Sequence, residues 1–333
     1  MKKVTASDVA NHLGISRSSV SRAFTEGASI APKQKTRILD AAKELGYQPN
    51  LFARTLSTPS KKAKSHLVAI LISDFSNPYQ SYLFEVLSAA LQNSGKMPVL
   101  VNINNETDLD TAILRLSGYQ VDGVIAVAGS LPTQSFEQCL KLKLPLVTLG
   151  RSDPQHVIPS IQTDNHLAGK LAAKYLLSKG LTQLGYIAGR EDGEASNARH
   201  DGFRAELESA GINAHNIFIA GRYGYSAGFE VGVRHSEEIR QLQGAFCASD
   251  ALAFGLIDSC NQVNGINIPG QLHVVGCDDV PMASWQGYQL TTIAQPVHTI
   301  AEKALQYLEA LWANDTQSPS PIRLAPELMI RRT

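Results

Sequence analysis

From residue 67 onward the chain alternates two kinds of segment, and this alternation restricts the fold more than any other feature. Apolar runs enriched in β-branched residues recur as "HLVAILI", "MPVLVNI", "VDGVIAVA", "LPLVTLG", "QLGYIAG", "GAFCAS" and "QLHVVGC". Between most of them lie helical patterns such as "YLFEVLSAALQNSG", "HLAGKLAAKYLLSKG", "ARHDGFRAELESAG" and "TIAEKALQYLEALW". Strand and helix alternating at this spacing predict parallel sheets with helices on both faces. The body is too long for one such sheet and divides near "SIQTDN". Residues 67–333 therefore read as two doubly wound lobes with a cleft between them. Ligands in such folds bind beyond the carboxyl ends of strands. That singles out "SDFSNPYQ" at 73–80, "GR" at 150–151, "TDN" at 163–165, "ASD" at 248–250 and "CDD" at 277–279. Helix capping is the alternative reading of Asp164, Asp250 and Asp279, because such residues are ordinary caps and loop residues.

Composition narrows the function. The 333 residues are 44% hydrophobic, enough for a large core and for more than one folding unit. Cysteines stand at 139, 247, 260 and 277 with no C-x-x-C spacing, so neither a zinc cage nor a disulfide framework is expected. A reduced compartment, the cytoplasm, fits that pattern. "MKKVTASDVA" lacks the apolar stretch of a signal peptide, and no apolar run reaches the roughly 20 residues a membrane helix needs. Net charge is zero, but residues 1–66 hold twelve basic and four acidic side chains, a head of +8 on a body of −8. Such a head meets a polyanion or serves as a solubilising terminus.

The head itself favours the polyanion. Thr5 with Asp8 three residues later forms a capping-box pattern with Asp in place of Glu. Ala6, Val9, Ala10 and Leu13 then follow at helical spacing, and Gly14 breaks the helix. Ser16 is suited to cap a second helix, in which Val20, Ala23 and Phe24 face inward while Arg17, Ser18, Ser21 and Arg22 share the outer face. A third helix starts at Pro32, buries Ile38, Leu39, Ala42 and Leu45, and stops at Gly46. An outer face of guanidiniums and hydroxyls suits the DNA major groove, where arginine pairs with guanine and serine reaches bases or phosphates. Helix, glycine turn and second helix together make a helix-turn-helix.

These residues resemble a known family. "VTASDVANHLGISRSSVSRAF … GYQPNLFARTLS" is similar to the headpiece of the LacI/GalR family of bacterial transcription regulators, with its D-V-A, G-[VI]-S, V-S-R, G-Y-x-P-N and A-R-x-L pattern. The resemblance implies that Arg17, Ser18 and Arg22 read bases and that Ser16, Ser19 and Ser21 lie near phosphates. Thr5, Asn50 and Arg54 join them as DNA contacts. The chain departs from the family at Thr25, where Asn is usual, at Ala31 in place of a capping Ser, and at Gln34-Lys35 in place of Thr-Arg. Residues 1–58 are then the headpiece with a hinge helix, and 59–66 are a linker. In the family that hinge folds on operator DNA, and Leu56 takes the place of a leucine wedged into the minor groove. A segment of about two turns is marginal alone, so an unstructured tether is the other reading.

The resemblance extends to the body, as an effector-binding core related in fold to periplasmic sugar-binding proteins. It implies an effector site of Tyr79, Gln80, Arg199 (in "RHDGF"), Tyr223 and Asp278, with Asp164 and Ser249 as weaker matches. Gln80 and Cys277 replace common aromatics, which leaves the ligand open. Partners implied are operator DNA in double-stranded form, a sugar-like small molecule and a second copy of the chain, with no membrane. The implied activity is repression from a pseudo-palindromic operator; an effector that co-represses, or a regulator that also activates, is the alternative. No catalytic role is expected: the chain has no G-x-x-x-x-G-K-[ST], H-E-x-x-H or G-x-S-x-G, and no cofactor or metal is implied. A free-standing sugar receptor and a sugar-modifying enzyme are the competing classes; the missing signal peptide and the basic head argue against the receptor, and the enzyme predicts turnover of a carbohydrate.

Overall fold

The computed structural model describes residues 4–25, 27–48, 65–103, 106–127, 139–151, 158–313 and 321–333. The chain divides into two compact units, one up to Ser65 and one from His66 onward. The first holds α1 (Ala6–Leu13), α2 (Arg17–Ala23) and α3 (Pro32–Leu45). Thr5 begins α1 through a reciprocal capping box: its N–H donates to Asp8 Oδ2 at 2.8 Å and its Oγ1 accepts from the Asp8 N–H at 3.4 Å. Ser16 accepts from the Ser19 N–H at 3.2 Å and starts α2. Ala31 gives α3 no side-chain cap, and Pro32 occupies its first turn.

The three helices bury Val9, Ala10, Val20, Ala23, Ile38, Ala41 and Ala42, and Phe24 meets Tyr47 edge-on at 5.6 Å. The sequence reading of α3 needs correction. Leu39 is 37% exposed, and Ala41 takes the core position in its place. Residues 38, 41, 42 and 45 share one stripe of a 3.6-residue helix, whereas position 39 is turned about 100° away from 38.

The second unit contains two six-stranded sheets. In the first lobe β1 (Leu67–Ile72), β2 (Met97–Asn102), β3 (Gly123–Val127), β4 (Leu146–Leu149), β5 (Ser160–Thr163) and β11 (Ile322–Leu324) run parallel in the order β11-β5-β4-β3-β1-β2. In the second, β6 (Leu184–Ala188), β7 (Asn216–Ile219), β8 (Gly244–Cys247), β9 (His273–Asp278) and β10 (Thr291–Ala294) are parallel, and β12 (Glu327–Met329) is antiparallel to β10 at the edge. The strand order reverses between β1 and β3 in one sheet and between β6 and β8 in the other. These are the switch points beyond which ligands bind.

Helices cover the sheets: α4 (Pro78–Asn93) and α5 (Glu106–Gly118) belong to the first lobe. The second carries α6 (Asn165–Ser178), α7 (Glu194–Ser209), α8 (Tyr225–Arg234), α9 (Ser236–Arg240) and α10 (Asp250–Ser259). Burial of Tyr186, Phe203 and Phe246 together gives this lobe an aromatic centre, with ring separations of 5.4–6.2 Å. The chain crosses between lobes after β5, again after β10, and finally between β11 and β12. Helix α11 (Val297–Trp312) thus follows a strand of the second lobe yet buries Val297, Ile300, Ala304 and Leu308 in the core of the first.

Candidate functional site

In the first unit, α2 presents Arg17, Ser18, Ser21 and Arg22 to solvent, on the side opposite buried Val20 and Ala23. Among the described residues, neither the Arg17 nor the Arg22 side chain has a hydrogen-bond or ion-pair partner, so both guanidiniums keep all their donors. The serines are partly committed. Ser16 Oγ lies 2.8 Å from Ser18 Oγ and 2.9 Å from Ser19 Oγ. Thr5 Oγ1 donates to Asp8 Oδ2 at 2.7 Å, which ties that side chain to the cap. Thr25 donates to the Ser21 carbonyl at 2.9 Å and closes the end of α2. Asn50, Arg54 and Leu56, the remaining sequence candidates for DNA contact, lie outside the described residues.

In the second unit, four of the candidate residues come together. Asp278 ends β9 at the carboxyl edge of its sheet, 2% exposed, with its backbone at φ 142°. Its Oδ1 accepts from Gln295 Nε2 at 2.6 Å, the Asp250 backbone N–H also favours the carboxylate, and its buried Oδ2 makes no hydrogen bond of normal geometry among the described residues. Arg199, on α7 and 6% exposed, donates from Nε to Asn165 Oδ1 at 2.9 Å and from Nη1 to the Ala248 carbonyl. It makes no direct ion pair with Asp278, although each acts electrostatically on the other. Tyr79 enters from the first lobe. Asn77 caps α4 by accepting the Tyr79 N–H at 3.0 Å, and the phenol donates to Gln295 Oε1 at 3.1 Å. Tyr223 lies flat over Gly189, where a Cβ would fall 2.1 Å from its ring, so the ring can occupy that place only above a glycine.

Burial sets the electrostatics. It raises the Asp278 carboxyl above the usual range; Arg199, the Gln295 hydrogen bond and the Asp250 backbone N–H oppose that rise. Asp250, fully buried, accepts from Thr292 Oγ1 at 2.5 Å and from the Val280 N–H at 2.9 Å. Burial, followed by the charge of Asp278, raises it as well. Burial likewise raises the Tyr79 and Tyr223 phenols, so both remain neutral donors. An uncommitted carboxylate oxygen beside a guanidinium with spare donors can hold adjacent hydroxyls, one accepting and one donating.

The other candidates divide differently. Asp164 caps α6 by accepting the Leu167 N–H at 2.9 Å, and its neighbours Thr163 and Asn165 are the residues that touch the cluster. Ser249 Oγ caps α10 by accepting from the Leu252 N–H at 3.3 Å and donates to the Tyr223 carbonyl at 3.2 Å, so it is engaged within the protein. Asp279 pairs with Arg331 at 2.7 Å. Gln80, next to Tyr79, buries its Oε1 with no hydrogen-bond partner among the described residues.

Gln295 is the residue that sequence reasoning missed. It accepts from Tyr79 and, at 2.8 Å, from Thr163 Oγ1, and it donates to Asp278, joining both lobes through one amide. Its signal was a polar residue just beyond "TTIA", a strand too short to be singled out.

Comparison with known proteins agrees with this division. Residues 5–50 match the model for bacterial regulatory proteins of the lacI family, and residues 173–333 match a periplasmic binding protein-like domain. Catabolite control protein A of Priestia megaterium is 26% identical over 333 residues, which cover 99% of each chain. The fold is similar to that of a lac repressor dimer bound to operator and the anti-inducer ONPF, with TM-score 0.86 and 22% identity over 100% of this chain and 99% of that one. It is also similar to a transcriptional regulator CelR–cellobiose complex, with TM-score 0.74 and 24% identity over 99% of both chains.

Proposed function

Since the chain belongs to the lacI family of bacterial regulatory proteins, we propose that it is a dimeric repressor that binds a pseudo-palindromic operator and answers to a sugar or sugar derivative held at the junction of its lobes. At the coarser level it is a DNA-binding, effector-controlled transcription regulator and not an enzyme. In this reading Arg17, Ser18 and Arg22 read base edges while Ser16, Ser19 and Ser21 approach phosphates. Free Arg17 and Arg22 donors on an exposed helix face support the assignment. Asn50, Arg54 and Leu56 complete it at the hinge. Among the described residues no helix is long and apolar enough to cross a membrane, in keeping with a cytoplasmic protein that meets DNA.

The single observation that carries the effector site is Asp278 Oδ2, a buried acceptor with no hydrogen bond of normal geometry among the described residues, beside Arg199. A buried unmatched acceptor costs about 1–3 kcal/mol, and a ligand hydroxyl removes that cost. Tyr79, Gln80 and Tyr223 line the same place, with Asp164 and Ser249 supporting it from the helix caps. A ligand that prefers one arrangement of the lobes shifts the population toward it and so changes operator affinity. The cellobiose held by the similar regulator supports a carbohydrate class of ligand.

The test is selection of binding sites from random DNA by the purified chain, followed by titration at several salt concentrations. A pseudo-palindromic site and a log–log salt slope of roughly −6 to −9 are expected if the doubled basic head neutralises about 6–10 phosphates. A shallow slope with no preferred sequence would overturn the proposal.

A further inference from the structure

Helix α11 connects the ligand cluster to the residue that opens the second unit. At its head, the Gln295 carbonyl accepts from the Val297 N–H at 2.8 Å, while the Gln295 N–H donates to the Asp278 carbonyl at 3.3 Å. Along its length it packs against α4, whose first turn carries Tyr79, and against β4 and β5. At its foot, Trp312 Nε1 donates to the Asp122 carbonyl at 2.6 Å. Lys96 Nζ sits 4.4 Å over the Trp312 ring and 4.0 Å from Asp122 Oδ2, and the Lys96 and Asp122 side chains are only 10% and 8% exposed. The same Asp122 Oδ2 accepts the backbone N–H of His66 at 3.0 Å.

His66 holds φ 62°, the left-handed region that a residue with a Cβ adopts at a cost. Its carbonyl accepts from the Met97 N–H at 2.7 Å. Two neighbouring elements therefore fix this backbone on both sides, which is the over-determination that strained residues need. The ion pair is nearly buried and shielded by an indole, so it resists the screening that weakens surface pairs.

We propose that α11 is the arm through which the ligand cluster controls the start of the second unit: Gln295 senses the cluster at the head, and the Trp312–Lys96–Asp122 clasp sets the His66 backbone at the foot. This rests on the reading of Asp278 and Tyr79 as effector residues. A ligand that takes Asp278 or Tyr79 from Gln295 shifts the start of α11. A packed helix transmits that shift along its axis because its core contacts do not deform gradually. Coupling of this kind is reciprocal, so a change at the foot alters the head.

The test uses the full chain with neither DNA nor ligand, so that its failure and a failure of operator control are separate results. Amide hydrogen exchange is resolved to single residues in the wild type, Gln295→Leu, Tyr79→Phe and Trp312→Phe. Loss of one hydrogen bond from the head should speed exchange of the His66 amide about fivefold, with Ile70 inside β1 unchanged. Trp312→Phe should in turn speed exchange of the Gln295 amide. If Gln295→Leu loosens the whole lobe and Ile70 exchanges faster too, Tyr79→Phe, which removes one hydroxyl, decides. Faster exchange at Gln295 with no change at His66 in Tyr79→Phe overturns the proposal, as does a Trp312→Phe chain whose Gln295 amide is unaffected.

Discussion

Gly169→Ala tests how Arg199 is put in place. Gly169 lies on α6 where it crosses α7, and a Cβ there would stand 1.8 Å from the Arg199 carbonyl oxygen and 2.7 Å from the Phe203 nitrogen. The crossing is equally close in the other direction, because a Cβ on Gly202 would stand 1.9 Å from the His166 carbonyl. Real Cβ contacts essentially never fall under 3.0 Å, so the two helices must part by more than 1 Å, and the atom met is backbone rather than a side chain free to swing aside. Overpacking of this kind costs about 1–3 kcal/mol, and each kcal/mol lowers Tm by about 2–4 °C in a unit of this size. The displacement also breaks the 2.9 Å bond from Arg199 Nε to Asn165. Calorimetry should therefore show a clear loss of Tm, and the variant should lose ligand response. Gly287→Ala, where nothing lies within 4 Å, is the control and should melt with the wild type. If Gly169→Ala melts with that control, the close crossing and the account of Arg199 built on it are wrong.

Arg17→Ala should cost about 1–3 kcal/mol in operator binding and relax one symmetric base pair, while Lys35→Ala weakens all sequences alike; identical specificity profiles for the two would refute the division of roles. Asp250→Asn should become favourable relative to wild type as pH rises. Burial raises the folded pKa of Asp250, so its contribution is fully present below the unfolded value of about 3.9 and is lost as pH climbs through the folded one. A Tm difference between the two proteins that stays constant from acid to neutral pH contradicts this. Phe203→Ala, at the aromatic centre of the second lobe, should cost about 3–5 kcal/mol by chemical denaturation; a loss under 1 kcal/mol is incompatible with that packing.

What the sequence made legible follows from how strong each local pattern is. The apolar runs became β1, β2, β3, β4, β6, β8 and β9; in all but β2, an edge strand with no fully buried residue, four or more buried residues in a row leave few alternatives. The strands β5, β7, β10, β11 and β12 have three or four residues each and, unlike the equally short β4 and β8, are not buried along their whole length, so they take their form from neighbours already in the sheet. The headpiece was read down to its caps since Thr5, Ser16 and Pro32 act within one turn. Leu39 was misplaced because composition outweighed phase. At the proposed effector site, Asp278, Arg199, Tyr79 and Tyr223 stood out as polar or aromatic residues at positions that match the family's motifs. Gln295 did not, because its meaning lies in three partners that are 17, 132 and 216 residues away in the chain. Asp164 and Ser249 turned out to cap helices, a role any strand-end Asp or Ser can fill.

The central claim is that a ligand held by Arg199 and Asp278 sets the affinity of the chain for DNA. The most direct measurement is titration of a selected operator with wild type, Arg199→Ala and Asp278→Asn, with and without the carbohydrate that most raises Tm in a thermal-shift screen, where ligand at 100 times its Kd adds about 2.7 kcal/mol. Arg199 and Asp278 make no direct ion pair, so neither substitution breaks one, although each removes a charge that acts on the other. The account predicts that all three proteins bind operator equally without ligand and that only the wild type changes its Kd when ligand is added. Variants that respond to the ligand as fully as the wild type would contradict it.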